Sequence, residues 1–335
     1  MRPLRITHAV RSDSFAGVER YVSEVATELA ARGHVVTVIG GDPALMRSAL
    51  PAEVTYRAAS TSSEVARKLT GLRSQDIVHA HMSAAEVAAV LTRPIHRASV
   101  VATRHFAARR GRTGPSRLVT RAVARGLALE ISISQFVADR SGPGSVVLHN
   151  GVRDQPAGEH RDRTVLVMQR LEAEKDTATA VRAFAAADLA SDGWRLQLAG
   201  RGSEEADVRS LAQSLGVDVE VLGFVADPSA VLSRAGILLA PAPAEPFGLT
   251  VVEAMASGTP VLAAAGGAHA ETLGTQAHLF PPGAHEMAAA GLRALAADDG
   301  ARRADGVRLR ARQQQMFGVE RHAAALLDAY AGLVS

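Results

Sequence analysis

Residues 4–41 read LRITHAVRSDSFAGVERYVSEVATELAARGHVVTVIGG, and this stretch decides the fold class. Leu4 to Val10 alternates apolar and polar residues as a strand does. Val35-Val36-Thr37-Val38-Ile39 is an unbroken β-branched run ending in Gly40-Gly41. Between them, after Val18, the apolar positions Val22, Val25, Ala26, Leu29 and Ala30 recur at helical spacing, and Gly33 sits just past the last turn as a cap. Strand, helix and strand in succession make a βαβ unit, whose parallel strands must be covered by helices on both faces.

The same alternation runs outward from there. Ile77 to His81, Ser99 to Thr103 and Ile131 to Ile133 are further strands of the first series. After the polar, proline-containing stretch Arg153 to Arg163, a second series begins with strand 164–168, helix 177–187 and strand 195–199. Helix 204–215, strand 219–222, helix 228–235, strand 237–240, helix 249–257 and strand 260–264 complete it, and a last helix is expected over about 314–333. The fold class is α/β, with two doubly wound parallel-sheet domains joined near residue 155 and facing each other across a cleft, the default ligand site.

Composition narrows the chemistry. The 335 residues are 47% hydrophobic and contain no cysteine, which excludes disulfides, thiolate metal sites and cysteine nucleophiles. No apolar run reaches the roughly 20 residues of a membrane span, and the N-terminus has no secretion signal, so a cytoplasmic location is expected. The net charge of +3 conceals an imbalance: residues 1–155 carry 21 Lys and Arg against 12 Asp and Glu, and residues 156–335 carry 16 against 22. Such asymmetry between halves points to different partners for each.

A dinucleotide oxidoreductase fails a specific test, because no G-x-G-x-x-G follows a strand: Gly200-Arg201-Gly202 continues as Ser-Glu-Glu, and Gly40-Gly41 as Asp-Pro. A Walker lysine loop, an H-E-x-x-H and a D-x-D pair are also missing, so chemistry without a metal or cofactor is expected. What remains lies in the second half. Arg170 and Lys175 follow strand 164–168 at its carboxyl end, where two cations can clamp a diphosphate or stand as solvated loop charges. The segment Glu245-Pro246-Phe247-Gly248-Leu249-Thr250-Val251-Val252-Glu253 enters a helix near Leu249, so Gly248, Leu249 and Thr250 offer amide donors at a positive helix end. Glu245 stands before that end and Glu253 one turn inside it, and each carboxylate can accept two hydroxyl hydrogen bonds.

These residues resemble a known family. With Phe15 to Tyr21, Arg32-Gly33-His34, Asp76 to His81, Thr103-Arg104-His105, Asn150-Gly151-Val152, Leu222-Gly223-Phe224, Ser257 to Val261 and Gly266-Gly267, the chain looks like a family-four retaining glycosyltransferase of GT-B architecture, the group 1 type. The resemblance implies an acceptor-binding domain over 1–154 and a nucleotide-sugar-binding domain over 155–313, followed by a C-terminal helix, 314–335, for which a return to the first domain and packing elsewhere both stand open. It implies transfer of a hexose or amino-hexose from a nucleoside-diphosphate sugar, UDP-linked rather than GDP-linked, to an acceptor hydroxyl with retained configuration. Arg170 and Lys175 would hold the diphosphate without a metal, Glu253 the ribose and Glu245 the sugar hydroxyls. The amides from Phe247 to Thr250 would meet phosphate and sugar, His105 would face the anomeric carbon, and Gly17 with Glu19 would form the acceptor or diphosphate loop. His79 and His81 stand between cleft and structural roles. Ala16, His149 and Gln169 depart from the family's glycine, proline and glycine. A sugar-nucleotide epimerase or a non-catalytic sugar-nucleotide-binding protein is the alternative of the same architecture.

One basic segment is left over. Between Glu86 and Glu130 there is no acidic residue, while arginine occurs at 93, 97, 104, 109, 110, 112, 117, 121 and 125. Three readings stand: a docking surface for anionic membrane lipid, a site for a phosphorylated or acidic acceptor, and a surface without a function, the acceptor itself being a small-molecule, lipid-linked or anionic compound. Nucleic acid is not an expected partner, because aromatic residues are only 4% of the chain and none interleaves the arginines from 109 to 125. The alanine and arginine richness points to a GC-rich bacterial genome.

Overall fold

The computed structural model describes residues 2–107, 116–141, 144–158 and 161–334, with backbone only over 116–120. It divides into two units, Met1–Gly151 with Val319–Ser335, and Val152–Gly318. The first holds strands β1 (Arg5–Val10), β2 (Val35–Ile39), β3 (Thr55–Arg57), β4 (Ile77–His81), β5 (Ser99–Arg104), β6 (Leu129–Ser132) and β7 (Val146–Val147), all parallel in the order β3-β2-β1-β4-β5-β6-β7. The second holds β8 (Thr164–Met168), β9 (Arg195–Ala199), β10 (Val219–Gly223), β11 (Ile237–Ala240), β12 (Val261–Ala264) and β13 (His278–Phe280), parallel in the order β10-β9-β8-β11-β12-β13. The strand order reverses between β1 and β4 in one sheet and between β8 and β11 in the other. In open α/β sheets these reversals open the crevice where ligands bind, outside the carboxyl ends of the strands.

Although β1 alternates apolar and polar residues, all of them from Ile6 to Val10 are buried. Helices cover both faces, so the polar positions need internal partners: Thr7 Oγ1 donates to Gln75 Oε1 at 2.9 Å, and His8 pairs with His81. At the end of β2, Gly40-Gly41-Asp42-Pro43 is a turn and cap. Asp42 Oδ1 accepts from the amides of Ala44 and Leu45, starting helix Pro43–Ala49.

The single terminal helix expected over 314–333 is two helices, Asp299–Met316 and Val319–Ala331. The break at Phe317-Gly318 is held by backbone: Val152 N donates to Phe317 O at 2.8 Å, and Phe317 itself is buried. The helix Asp299–Met316 lies in the second unit and Val319–Ala331 in the first, where Tyr330 and His322 reach the core beneath β4 and helix Gly17–Ala31. Helix His285–Ala297 in the second unit packs its buried face, Ala288, Ala289 and Leu292, into the cluster of Val165, Phe184, Leu196 and Ile237.

Candidate functional site

The carboxyl ends of β8 and β11 flank the reversal in the second sheet, and the predicted anion-binding residues follow both. After β8 the chain passes Gln169 and Arg170 into a short 3-10 turn, Ala173–Lys175, then into helix Thr177–Ala187 capped by Asp176. The Gln169 carboxamide donates to Lys175 O at 2.9 Å and to Thr177 Oγ1 at 3.0 Å. The residue that departs from the family's glycine therefore fastens the turn carrying Lys175. Gly200 and Gly202, which do not form a dinucleotide fingerprint, let the turn after β9 lie flat on this loop: a Cβ would sit 1.8 Å from Gln169 O at the first and 2.1 Å from Leu171 O at the second.

After β11 the chain reaches Gly248, whose φ of +85° admits the entry into helix Leu249–Ala256. The first i to i−4 bond of that helix runs from Val252 N to Gly248 O, so the amides of Leu249, Thr250 and Val251 have no intrahelical acceptor. Phe247 is buried edge-on to Phe317 with ring centroids 5.9 Å apart, which anchors the entry. Glu253 is buried in the second turn.

Glu245 and Lys175, seventy positions apart, meet directly: Nζ donates to Oε2 at 2.6 Å, with both side chains 18% exposed. The Gly266-Gly267 pair explains how Glu245 is held. Ala268 N donates to Glu245 O at 2.8 Å, and a Cβ on Gly267 would lie 2.1 Å from that same oxygen. Arg170 is not drawn into this cluster; it is exposed and pairs with Glu174 at 2.6 Å.

Sequence reasoning missed His269. It is buried, its Nδ1 donates to Ala264 O at 3.0 Å, and a Cβ on Gly248 would come 3.2 Å from its Cδ2, so it backs the helix entrance. Burial lowers its pKa, with Glu245 opposing and Lys175 reinforcing the shift. Replacing Glu245 with Gln is expected to lower the His269 pKa further and replacing Lys175 with Met to raise it, followed by NMR titration of the ring. Shifts of the same sign in both variants would sink this picture of the site's electrostatics. The available signal was a lone histidine just after the glycine pair.

In the first unit, Gly17 opens helix Gly17–Ala31 and is exposed, whereas Glu19 is buried and its Oε2 accepts from Ala16 N at 2.9 Å, capping that helix. His105, just beyond β5, is 6% exposed and joins a histidine cluster on the first sheet. His81 Nδ1 lies 3.0 Å from His105 Nε2, and His81 Nε2 lies 3.0 Å from His8 Nδ1. His79 is bonded through both nitrogens, to Tyr330 OH and Thr103 Oγ1, each at 2.6 Å, and Tyr21 OH meets His322 Nε2 at 2.8 Å. The His8, His79 and His81 ligand atoms lie within 4.8 Å of one another. Five of their six ring nitrogens are already hydrogen-bonded, so a cation taking one nitrogen from each ring would break at least two bonds.

The arginine segment divides. Arg104 is buried, 3.5 Å from Glu86 and 3.7 Å from Glu130, the two acids that bracket the stretch, so it is an internal ion pair. Arg93, Arg97, Arg121 and Arg125 are exposed. Arg109, Arg110 and Arg112 lie outside the described residues, as does the side chain of Arg117. Among the described residues no helix is long and apolar enough to cross a membrane.

Comparison with known proteins agrees with this arrangement. Residues 152–313 match the family Glycosyl transferases group 1, and residues 15–155 match Glycosyltransferase Family 4. Phosphatidyl-myo-inositol mannosyltransferase of Mycobacterium leprae is 29% identical over 319 residues, 84% of each chain. Exopolysaccharide phosphotransferase SCO2592 of Streptomyces coelicolor is 29% identical over 175 residues, half of this chain but only 19% of that protein. Among solved structures, Anabaena Alr3699/HepE in complex with UDP superposes with a TM-score of 0.83 at 19% identity, over 98% of this chain and all of that one. Two parallel sheets, an anion-ready helix entrance at the reversal of the second and family matches to both halves lead to one assignment: the chain belongs to the group 1 glycosyltransferases of GT-B fold.

Proposed function

We propose that this glycosyltransferase moves a hexosyl unit from a nucleoside-diphosphate sugar to an acceptor hydroxyl with retention of configuration and without a metal. The observation that carries the reading is the Lys175–Glu245 pair beside the entrance of helix Leu249–Ala256. On donor binding Lys175 turns to the diphosphate together with the free helix amides and with Arg170, and Glu245 accepts hydrogen bonds from the sugar hydroxyls. Glu253, one turn further, accepts the ribose hydroxyls. The two cations and the helix end supply the charge that stabilises the departing diphosphate, whose oxygen takes the proton of the attacking hydroxyl on the same face. His105 is proposed to act on the transferred sugar, and the first unit to hold the acceptor. A UDP-linked donor is favoured, supported by the UDP and UDP-glucose complexes of the Anabaena protein.

The acceptor side is proposed to touch anionic lipid. Arg93, Arg97, Arg121 and Arg125 are exposed, and Arg93 Nη1 donates to Gly126 O at 3.4 Å where helix Ser83–His96 meets helix Ser116–Gly126, so the two helices bring a group of cations of the kind an anionic lipid surface attracts. Flotation with anionic liposomes but not neutral ones is the expected result.

The reaction is tested by incubating the protein with UDP-hexoses, with and without an alcohol acceptor, and reading nucleotide release and product configuration by NMR. UDP release with an axial glycosidic bond from an axial donor is expected, at a rate unchanged by EDTA. An epimerised sugar nucleotide would sink transfer, an inverted product would sink retention, and a rate lost to EDTA and restored by Mg²⁺ or Mn²⁺ would sink metal independence.

A further inference from the structure

Three imidazoles stand in series in the first unit: His8 from β1, His81 from the end of β4 and His105 just past β5. The contacts are His8 Nδ1 to His81 Nε2 and His81 Nδ1 to His105 Nε2, each 3.0 Å. All three rings are buried, and burial lowers their pKa values, to about 3 for His8 and His105 and well below the usual histidine range for His81. At neutral pH each ring is therefore neutral and carries one N–H.

A bond between two ring nitrogens needs one proton. His81, bonded through both nitrogens, must donate in one contact and accept in the other, so the series has only two proton orders. In the first, His8 Nδ1–H donates to His81, His81 Nδ1–H donates to His105 Nε2, and His105 keeps its proton on Nδ1. In the second every bond is reversed, and His8 keeps its proton on Nε2. His8 Nε2 is buried and finds no partner among the described residues. The second order buries an N–H with no acceptor, whereas the first leaves only a bare lone pair there. Orphaned buried N–H groups are the rarer and costlier outcome.

We propose that His8 and His81 are positioning residues that fix His105 as the Nδ1–H tautomer, so that its ring offers a donor and not a base at Nδ1. The functional part of this inference rests on the proposed action of His105 on the transferred sugar. An Nδ1–H donor suits a sugar oxygen and cannot remove the acceptor's proton, which leaves that task to the departing phosphate oxygen.

Long-range ¹H–¹⁵N correlation of the histidine rings at pH 7 tests the order directly on the wild-type protein. The expected pattern is a protonated Nδ1 and a bare Nε2 for His8, His81 and His105; a His105 proton on Nε2 overturns the proposal. His8→Asn keeps an N–H donor at the place of Nδ1 and should retain the His105 tautomer. His8→Leu removes it and should let His105 populate both tautomers, lowering kcat about tenfold at unchanged donor KM; an unchanged His105 tautomer in a folded His8→Leu protein overturns the positioning role. His105→Ala separates the two readings. If it transfers sugar at the wild-type rate while the wild-type spectrum shows Nδ1–H, the role of His105 fails and the proton order stands.

Discussion

Lowering the pH from 7 to 5 is expected to unfold the first unit while the second stays folded. Six histidines of the first unit, His8, His79, His81, His96, His105 and His322, are buried, and burial lowers the pKa of every one, to about 4 for His322. Below the ordinary histidine range near 6.5 the unfolded chain takes up protons that the folded unit refuses. The stability they guard is complete above about pH 6.5 and is lost as the pH falls toward the folded values near 4 and 3. With six protons the slope approaches about 8 kcal/mol per pH unit, comparable to the whole stability of a domain. The second unit has one such histidine among its described residues, His269. The chain supplies its own probes, because Tyr21, Tyr56 and Tyr330 all lie in the first unit and the single tryptophan, Trp194, lies in the second. Near-ultraviolet tyrosine dichroism should collapse between pH 6 and pH 5 while Trp194 fluorescence persists. A tyrosine signal that stays flat to pH 4.5 would refute the neutral-cluster account.

The second large effect is catalytic. Lys175→Met is expected to lower kcat by about 10² to 10³, the usual loss when one preorganised charge on a leaving group is removed. Stability should fall by only about 1 kcal/mol, because the Lys175–Glu245 pair is partly open to solvent. Nucleotide release gives the rate and thermal unfolding the stability. A variant that turns over like the wild type would remove Lys175 from the diphosphate site. Arg170→Ala should lose rate in the same way, since donor binding is proposed to draw its guanidinium away from Glu174.

The strands were the most legible part of the sequence. A parallel strand covered on both faces becomes a short, largely apolar run, and 164–168, 195–199 and 237–240 are read residue for residue. Thr55–Arg57 and Val146–Val147 are too short to leave such a trace. The site was legible in its residue types but not in its pairing. Nothing local to Lys175 names Glu245 as its partner, because β8 and β11 become neighbours only through the sheet order. Gly200, Gly202 and Gly267 read as loop residues until the backbone oxygens against them are in view. Arg104 reads as one more surface cation, and its burial depends on acids from either end of the segment meeting on it. The histidine cluster is scattered over β1, β4, β5 and a helix more than two hundred residues later, so only the fold assembles it.

That last helix has a consequence for how the protein is made. A ribosome delivers the chain from its amino end, and the second unit is one continuous stretch, Val152–Gly318, free to fold once it has emerged. The first unit, although synthesised earlier, lacks the hydroxyl of Tyr330 for His79 and the ring of His322 for Tyr21 until Val319–Ala331 follows. Its maturation therefore waits until Val319–Ala331 has been translated, and the order of folding runs opposite to the order of synthesis. A nascent chain halted after Gly318 would expose Tyr21 and His79 to whatever chaperone attends it, beside a second unit already native.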